Sequence, residues 1–90
     1  MSHLTEQKPK LLARIRRLKG QVDAIERALE ADAPCGEILN LVASIRGAIG
    51  GLTAELIEDH LREHIVHAPD HASRETGAAE LAAVVRMYMK

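Results

Sequence analysis

The chain has 90 residues, a formal net charge of −1 and a 47% hydrophobic fraction, but it contains a single tyrosine and neither phenylalanine nor tryptophan. This length predicts one domain over residues 1–90, with a thin core that another copy would extend. The lack of aromatic rings excludes a reader of single-stranded nucleic acid, which stacks bases on such rings. Apolar runs stay short of the roughly 18 residues of a membrane span and no signal-peptide pattern is present, so we expect a soluble, cytoplasmic protein with no membrane partner.

The first predicted helix runs from about Thr5 to Glu30, because apolar residues recur there at alternating steps of four and three. These residues are Leu11, Ile15, Leu18, Val22, Ile25 and Leu29. Pro9 is tolerated because it lies within about the first turn. The segment from Ala31 to Pro34 ends the helix.

One short block of this helix carries half of the basic residues of the chain. Residues 8–22 include six basic residues and no acidic one, whereas residues 23–90 include six basic and twelve acidic residues. The charges beside the apolar seam are those of Lys10, Arg14, Arg16, Arg17 and Lys19. Such a basic stripe indicates a polyanion surface, the alternative being a merely solvated face. Because no known DNA-reading motif is visible, double-stranded DNA would be contacted mainly at phosphates and through groove shape.

The second predicted helix runs from about Cys35 to Val66, with apolar residues again three and four apart. These residues are Ile38, Val42, Ile45, Ile49, Leu52 and Leu56. Gly47, Gly50 and Gly51 lie inside this helix, where glycine costs stability unless another backbone comes close. The three glycines therefore predict a tight helix crossing.

A third helix follows a polar break from Ala68 to Ser73, which contains Pro69. Ser73 predicts the N-cap of this helix, which ends near Met89. No alternating strand pattern is present, so the predicted fold class is all-α with three helices per chain. Apolar seams on two long helices are best buried against another copy, as an antiparallel helical-bundle dimer across a two-fold axis.

The end of the second helix is rich in histidine. His60, His64 and His67 are spaced by four and three residues, so they share a helix face, and two imidazoles four residues apart can reach one metal ion. A solvated histidine-rich surface is the alternative. Cys35 offers a thiolate, but the helical rise places it about 38 Å from His60 in the same chain. An antiparallel partner would bring Cys35 of one chain beside His60 and His64 of the other.

The segment from His60 to His64 also matches the H-x-x-E-H pattern of inverted zinc proteases. A hydrolase needs a third ligand, an open coordination position and a cleft, which a chain of this size does not readily supply. We therefore expect no enzyme, and Glu63 is interpreted as a solvated charge or as a group that orients an imidazole. A plain helical interaction module is a further alternative.

His3 is a further imidazole, close to the start of the chain. Once Met1 is removed, the free amine of Ser2 and the ring of His3 become adjacent nitrogen donors. A surface histidine without a role is the alternative at this position.

Several segments together resemble the CsoR/RcnR family of bacterial metal- and formaldehyde-responsive repressors, over essentially the whole chain. They are Ala13-Arg14, Arg17-Leu18-Lys19-Gly20-Gln21-Val22, Cys35, Ile45-Arg46-Gly47-Ala48, Leu52 and the run from His60 to His67. The resemblance implies an all-α dimer that pairs into a tetramer, binds operator DNA when unliganded and releases it when the effector binds.

Within the family, the chain is most similar to the nickel- and cobalt-responsive branch. That similarity implies His3, Cys35, His60 and His64 as metal ligands, with the Ser2 amine as an optional fifth donor. Copper(I) members carry a cysteine where His64 stands, and soft copper(I) favours that second thiolate. The implied effector is nickel(II) or cobalt(II), and zinc(II) would take a tetrahedral subset of the ligands. Formaldehyde sensing through Cys35 is the alternative, although those relatives pair the cysteine with an N-terminal proline where Ser2 stands here.

The resemblance also implies which residues contact DNA and how the metal site is linked to the third helix. The DNA contacts it implies are Arg14 and Arg17, then Lys10, Arg16, Lys19 and Arg46. Glu80 is implied to lie behind the metal ligands and to link them to the third helix. The expected function is repression of a metal-efflux gene, relieved by metal.

Overall fold

A computed structural model of the chain describes residues 4–90, with side chains described from residue 7 onward. These residues form three α-helices: α1 (Leu4–Glu30), α2 (Cys35–Leu61) and α3 (His71–Tyr88). A π-helical segment, Arg62–Val66, follows α2 directly. No strand occurs in the described range, which confirms the predicted all-α class with three helices. Over the same range, no helix combines the length and apolarity that a membrane span requires.

The end of α1 is a Schellman turn built without glycine. Asp32 has a φ of 54°, in the left-handed region. Its N–H donates to the carbonyl of Leu29 over 3.1 Å, and the N–H of Ala33 donates to that of Ala28 over 2.9 Å. These two bonds satisfy carbonyls that the helix end leaves without intrahelical partners. Aspartate tolerates this backbone region better than most residues, so the chain reverses direction within the predicted break.

The chain divides into two compact units, Met1–Thr53 and Ala54–Lys90, with the boundary inside α2. In the first unit, α1 and α2 form an antiparallel hairpin. The Gln21 amide donates to the Ser44 hydroxyl over 3.2 Å, and the Arg14 guanidinium donates to the Gly51 carbonyl over 3.5 Å. Because the residue number rises along α2 as it falls along α1, the two helices run in opposite directions.

The apolar seam of this hairpin is only partly covered within one chain. Residues at seven-residue steps along each helix are half-buried: Leu11, Leu18 and Ile25 of α1, and Ile38, Ile45 and Leu52 of α2. The intervening apolar residues stay exposed: Ile15, Val22 and Leu29 of α1, and Val42 and Ile49 of α2. One half of a wide apolar stripe is therefore partly buried within the hairpin, and the other half is exposed.

Two predicted features of the second unit are wrong in detail. The α-helical hydrogen bonding of α2 stops at Leu61, and the chain continues to Val66 as a π-helix. The N-cap of α3 is Asp70 and not Ser73, because the Asp70 carboxylate accepts the backbone N–H of Ser73 over 2.7 Å. Aspartate caps helices as well as serine does, and here it stands three residues earlier.

The glycines of α2 do not mark a close backbone approach within the chain. A Cβ added at Gly47 or Gly50 would meet nothing within 4 Å, and one at Gly51 would meet only the Arg14 guanidinium, at 3.3 Å. The close approach occurs instead at Gly77 of α3, a position that the sequence patterns do not single out.

Candidate metal centre and nucleic-acid interface

The predicted histidine pair is brought together where α2 passes into the π-helix. His60 lies in the last turn of α2 and His64 lies in the π-helical segment. Their ring centroids are 4.8 Å apart, with the ring planes tilted by 38°. Two imidazoles bound to one ion at about 2.1 Å have centroids roughly 4.5 to 5 Å apart. The pair therefore has the separation that a shared metal ion requires.

One ring nitrogen of His60 is already engaged. Its Nε2 lies 2.9 Å from the carbonyl oxygen of Gly77 in α3. A carbonyl oxygen only accepts hydrogen bonds, so Nε2 carries the proton and Nδ1 keeps its lone pair. Metal-bound histidines commonly donate their other ring N–H to a carbonyl in this way. The geometry thus leaves Nδ1 as the ring nitrogen of His60 that can accept a further bond.

The two acidic residues predicted near the site differ in position. Glu80 lines the same apolar groove as His60, between the end of α2 and α3. The other residues of this groove are Leu56, Ile57, Leu81 and Val84. Glu63 lies on the π-helical segment and is exposed. Glu80 therefore shares the immediate surroundings of His60, whereas Glu63 lies in the solvated part of the π-helix.

Gly77 and Arg74 of α3 hold the histidine-bearing segment, and sequence reasoning missed both. A Cβ at Gly77 would lie 2.9 Å from the carbonyl carbon of His64 and closer still to its oxygen. The Arg74 guanidinium donates to the carbonyl of Ile65 over 3.1 Å and to that of Ala68 over 3.2 Å. The available signal was a glycine inside the predicted third helix, but only a structure shows that Gly77 is buried and what approaches it.

The other predicted ligands do not join the histidine pair within the described part of one chain. Cys35 is exposed and is the first residue of α2, at the opposite end of that helix from His60. Over the described range, no cluster of three or more histidine, cysteine or acidic side chains is placed to hold a metal ion. Ser2 and His3 lie outside the described residues.

The basic stripe of α1 is largely exposed. The exposed members are Lys10, Arg16, Arg17 and Lys19, and Arg46 is exposed on α2. Arg14 is half-buried, and its guanidinium is directed toward the Gly51 carbonyl. Arg14 and Arg17 line one small pocket together with Leu18, Gln21 and Ala48. The two arginines with the strongest predicted DNA role therefore lie side by side on the hairpin.

The family model for metal-sensitive transcriptional repressors matches residues 7–87 of this chain. The chain belongs to this family. The match extends from the basic helix through the histidine-bearing segment to the end of α3. It confirms the resemblance to the CsoR/RcnR repressors.

Named relatives of this repressor chain match it over their full length. The transcriptional repressor RcnR of Salmonella paratyphi B is 42% identical over 90 residues, covering 100% of both chains. An uncharacterized protein in the bioA 5' region of Serratia marcescens is 46% identical over 91 residues, again covering 100% of both.

A solved structure shows the same fold. It is a glutamate-to-histidine variant, at its position 64, of the formaldehyde-responsive regulator FrmR from Salmonella enterica serovar Typhimurium. The TM-score is 0.87 at 42% identity, with 97% of this chain and 99% of that chain covered. Because this is a family of transcriptional repressors, the protease-like H-x-x-E-H match has no support from the relatives.

Proposed function

We propose that the chain is a nickel(II)- or cobalt(II)-responsive repressor, which binds operator DNA without metal and releases it when metal binds. The observation that supports this most directly is the His60–His64 pair, with rings 4.8 Å apart and the Nε2 of His60 held by a carbonyl. The pair stands in a member of a metal-sensitive repressor family. Release of the DNA would derepress a metal-efflux gene.

The donor set favours a metal of intermediate softness. Imidazole nitrogens suit nickel(II), cobalt(II) and zinc(II), whereas copper(I) prefers additional sulfur ligands. We assign His60, His64 and Cys35 as ligands, joined by His3 and the Ser2 amine. Four or five donors allow the higher coordination numbers of nickel(II) and cobalt(II), and zinc(II) would use a tetrahedral subset. When bound, the metal would link the start of α2 in one chain to the end of α2 in its partner.

The site is proposed to form between two copies of the chain. Cys35 opens α2 and His60 lies in its last turn, so an antiparallel partner would supply the thiolate for the histidine pair. The uncovered half of the apolar stripe gives a physical reason to dimerise. Leu39 is 62% exposed, Ile49 48% and Val42 46% in the single chain. Pairing of dimers into a tetramer would then array several basic α1 helices for DNA.

Metal binding is proposed to weaken DNA binding by moving the basic helices. Cys35 begins α2 directly after the turn that ends α1, and the N-terminal donors lead into α1. Closing the site would therefore pull on both ends of α1, whose exposed charges contact phosphates in this proposal. A coupling free energy of about 1 to 3 kcal/mol would reduce DNA affinity about 5- to 150-fold, enough for derepression.

Formaldehyde sensing through Cys35 is the second candidate, and the structural likeness to FrmR favours it. Cys35 is exposed, as a reactive thiol must be. Two observations favour metal instead. In the FrmR structure, the histidine at position 64 replaces a glutamate by substitution, whereas this chain has His64 in its own sequence. The match covers 97% of this chain and 99% of the FrmR chain. Residue 2 is also serine and not proline.

The deciding experiment is a fluorescence anisotropy titration of a promoter fragment from the protein's own locus. Apo protein is added first, followed by nickel(II), cobalt(II), zinc(II), copper(I) or formaldehyde, at one fixed salt concentration because phosphate-dominated affinity depends steeply on salt. Tight apo binding that nickel or cobalt releases is expected. Release by formaldehyde alone would move the assignment to aldehyde sensing, and no apo binding at low salt would overturn the repressor assignment.

A matched pair of histidine variants identifies the site in the same titration. His64→Gln should lose the nickel or cobalt response while keeping apo DNA binding. His71→Gln is the control, since His71 is an exposed residue at the start of α3 and is not one of the proposed ligands. Its Nε2 lies 3.0 Å from Oε1 of Glu75. Equal behaviour of the two variants would show that the histidine pair does not hold the effector.

A further inference from the structure

The second unit contains a buried glycine, Gly77, in the interior of α3, where glycine weakens a helix. We propose that Gly77 is a positioning residue for the metal site, which fixes both His60 and His64 to α3 and selects Nδ1 of His60 as the ligand atom. The proposal rests on the proposed metal-responsive function and assigns a further residue to that same site.

The first supporting observation is the close approach at Gly77. An added Cβ would lie 2.9 Å from the carbonyl carbon of His64 and 3.0 Å from its Cβ, and nearer still to its carbonyl oxygen. Carbonyl atoms belong to the backbone and cannot rotate away as a flexible side chain would. Any side chain at position 77 must therefore push α3 and the His64 segment apart.

The second observation is that the same residue holds the other histidine. The carbonyl oxygen of Gly77 accepts the Nε2 proton of His60 over 2.9 Å. A displacement of α3 at Gly77 would lengthen this bond at the same time as it moves His64. One residue thus controls both the relative position of the two rings and the tautomer of one of them.

The third observation is that Arg74, three residues earlier in α3, secures the far end of the same segment. Its guanidinium donates to the carbonyls of Ile65 and Ala68, over 3.1 and 3.2 Å. The π-helical segment that carries His64 is therefore attached to α3 by Arg74 on one side and packed against Gly77 on the other. A shift at Gly77 cannot be absorbed by free movement of the segment.

Positioning of this kind bears on metal choice. Metal selectivity depends on coordination geometry as well as on donor type. Loss of a group that orients a metal-binding histidine typically changes metal affinity by about 10- to 100-fold. We therefore expect Gly77 to affect affinity and coordination geometry without contacting the metal.

The first experiment needs no metal. Long-range ¹⁵N–¹H NMR of the ¹⁵N-histidine-labelled apo protein reports which ring nitrogen of His60 carries the proton. The wild-type protein should show His60 fixed in the Nε2–H form, and Gly77→Ala should show a mixture of tautomers. Gly20→Ala is the matched control, because an added Cβ there meets nothing within 4 Å. A wild-type His60 protonated at Nδ1, or exchanging between the two forms, would overturn the proposal even if Gly77→Ala fails to fold.

The second experiment adds cobalt(II) and records the ligand-field absorption bands and the affinity. Gly77→Ala should bind cobalt(II) about 10- to 100-fold more weakly, with shifted bands, and Gly20→Ala should match the wild type. Unchanged bands and affinity in folded Gly77→Ala would overturn the positioning role. If the wild-type protein binds neither nickel nor cobalt, the proposed function fails by itself, and the tautomer measurement still decides whether Gly77 positions His60.

Discussion

At the scale of single residues, the site separates into groups that the sequence reveals and groups that it hides. The proximity of the His60 and His64 rings could be predicted, because four-residue spacing places side chains on one helix face. Gly77 could not, because its importance lies in what approaches it from another segment. The ring nitrogen of His60 that carries the proton also depends on a carbonyl seventeen residues away, which no local pattern encodes.

Cys35 provides the residue-scale prediction. Cys35→Ala should keep apo DNA binding but lose release by nickel or cobalt, because the thiolate is the proposed link between the start of α2 and the partner's histidine pair. The cobalt(II) complex should also lose its near-ultraviolet thiolate-to-metal charge-transfer absorption. Anisotropy and absorption titrations of the same sample measure both effects. Retention of that absorption would mean that Cys35 is not a ligand.

At the scale of helices, the sequence predicted the existence of all three but not the chemistry of their ends. Apolar spacing located α1, α2 and α3 because each carries an apolar stripe along one face. The predicted Ser73 cap was wrong because Ser73 and Asp70 both precede the apolar run, and only the hydrogen bond distinguishes them. The π-helix was missed because apolar spacing predicts a helix but does not specify which backbone hydrogen bonds form over a single turn.

The Asp70 cap of α3 has a pH dependence of known sign. The backbone N–H of Ser73 holds the pKa of Asp70 below its ordinary value. The carboxylate therefore stabilises the folded chain above about pH 4, and this benefit is lost as pH falls through the lowered folded-state pKa. Asp70→Ala should melt at a lower temperature at pH 7. Asp70→Asn keeps a good cap without titrating, so its difference in melting temperature from the wild type should narrow on acidification. A constant difference from pH 6 to pH 3 would contradict this assignment.

The exposed charges of α1 make a prediction about salt. Arg17→Ala should weaken DNA binding by a similar factor whatever the DNA sequence, because one phosphate contact is lost. It should also reduce the slope of log affinity against log salt concentration by about 1. Arg86→Ala, in the last turn of α3, is the matched control and should leave the slope unchanged. Anisotropy titrations at several salt concentrations give the slopes. Identical slopes for the two variants would remove Arg17 from the DNA-binding face.

At the scale of the whole molecule, one chain buries few of its own apolar side chains. Among the described residues, Ala68 is the one hydrophobic residue that is buried, while Leu39, Val42 and Ile49 stay exposed. The length and composition predicted a thin core, and the alternation of half-buried and exposed apolar positions shows where it is incomplete. The sequence could not predict which surfaces of two copies meet. Apolar spacing locates the apolar stripe of each helix but does not show which stripes pack against each other.

Assembly therefore makes the molecular-scale prediction. The melting temperature should rise with protein concentration, as it does when folding and association are linked. Val42→Glu places a charge on the uncovered stripe and should shift the mass seen in sedimentation toward the monomer. It should also abolish metal binding that requires Cys35 and His60 from different chains. A monomeric wild-type protein that still binds nickel through both residues would refute the shared site.

The π-helical segment Arg62–Val66 makes the histidine pair sensitive to a change in chain length. A π-helix closes each hydrogen-bonded turn over one residue more than the α-helix that it interrupts. The spacing of the rings of His60 and His64 is thus set partly by chain length. Loss or gain of one residue here would change the distance between the two donors while every side chain of the site was retained.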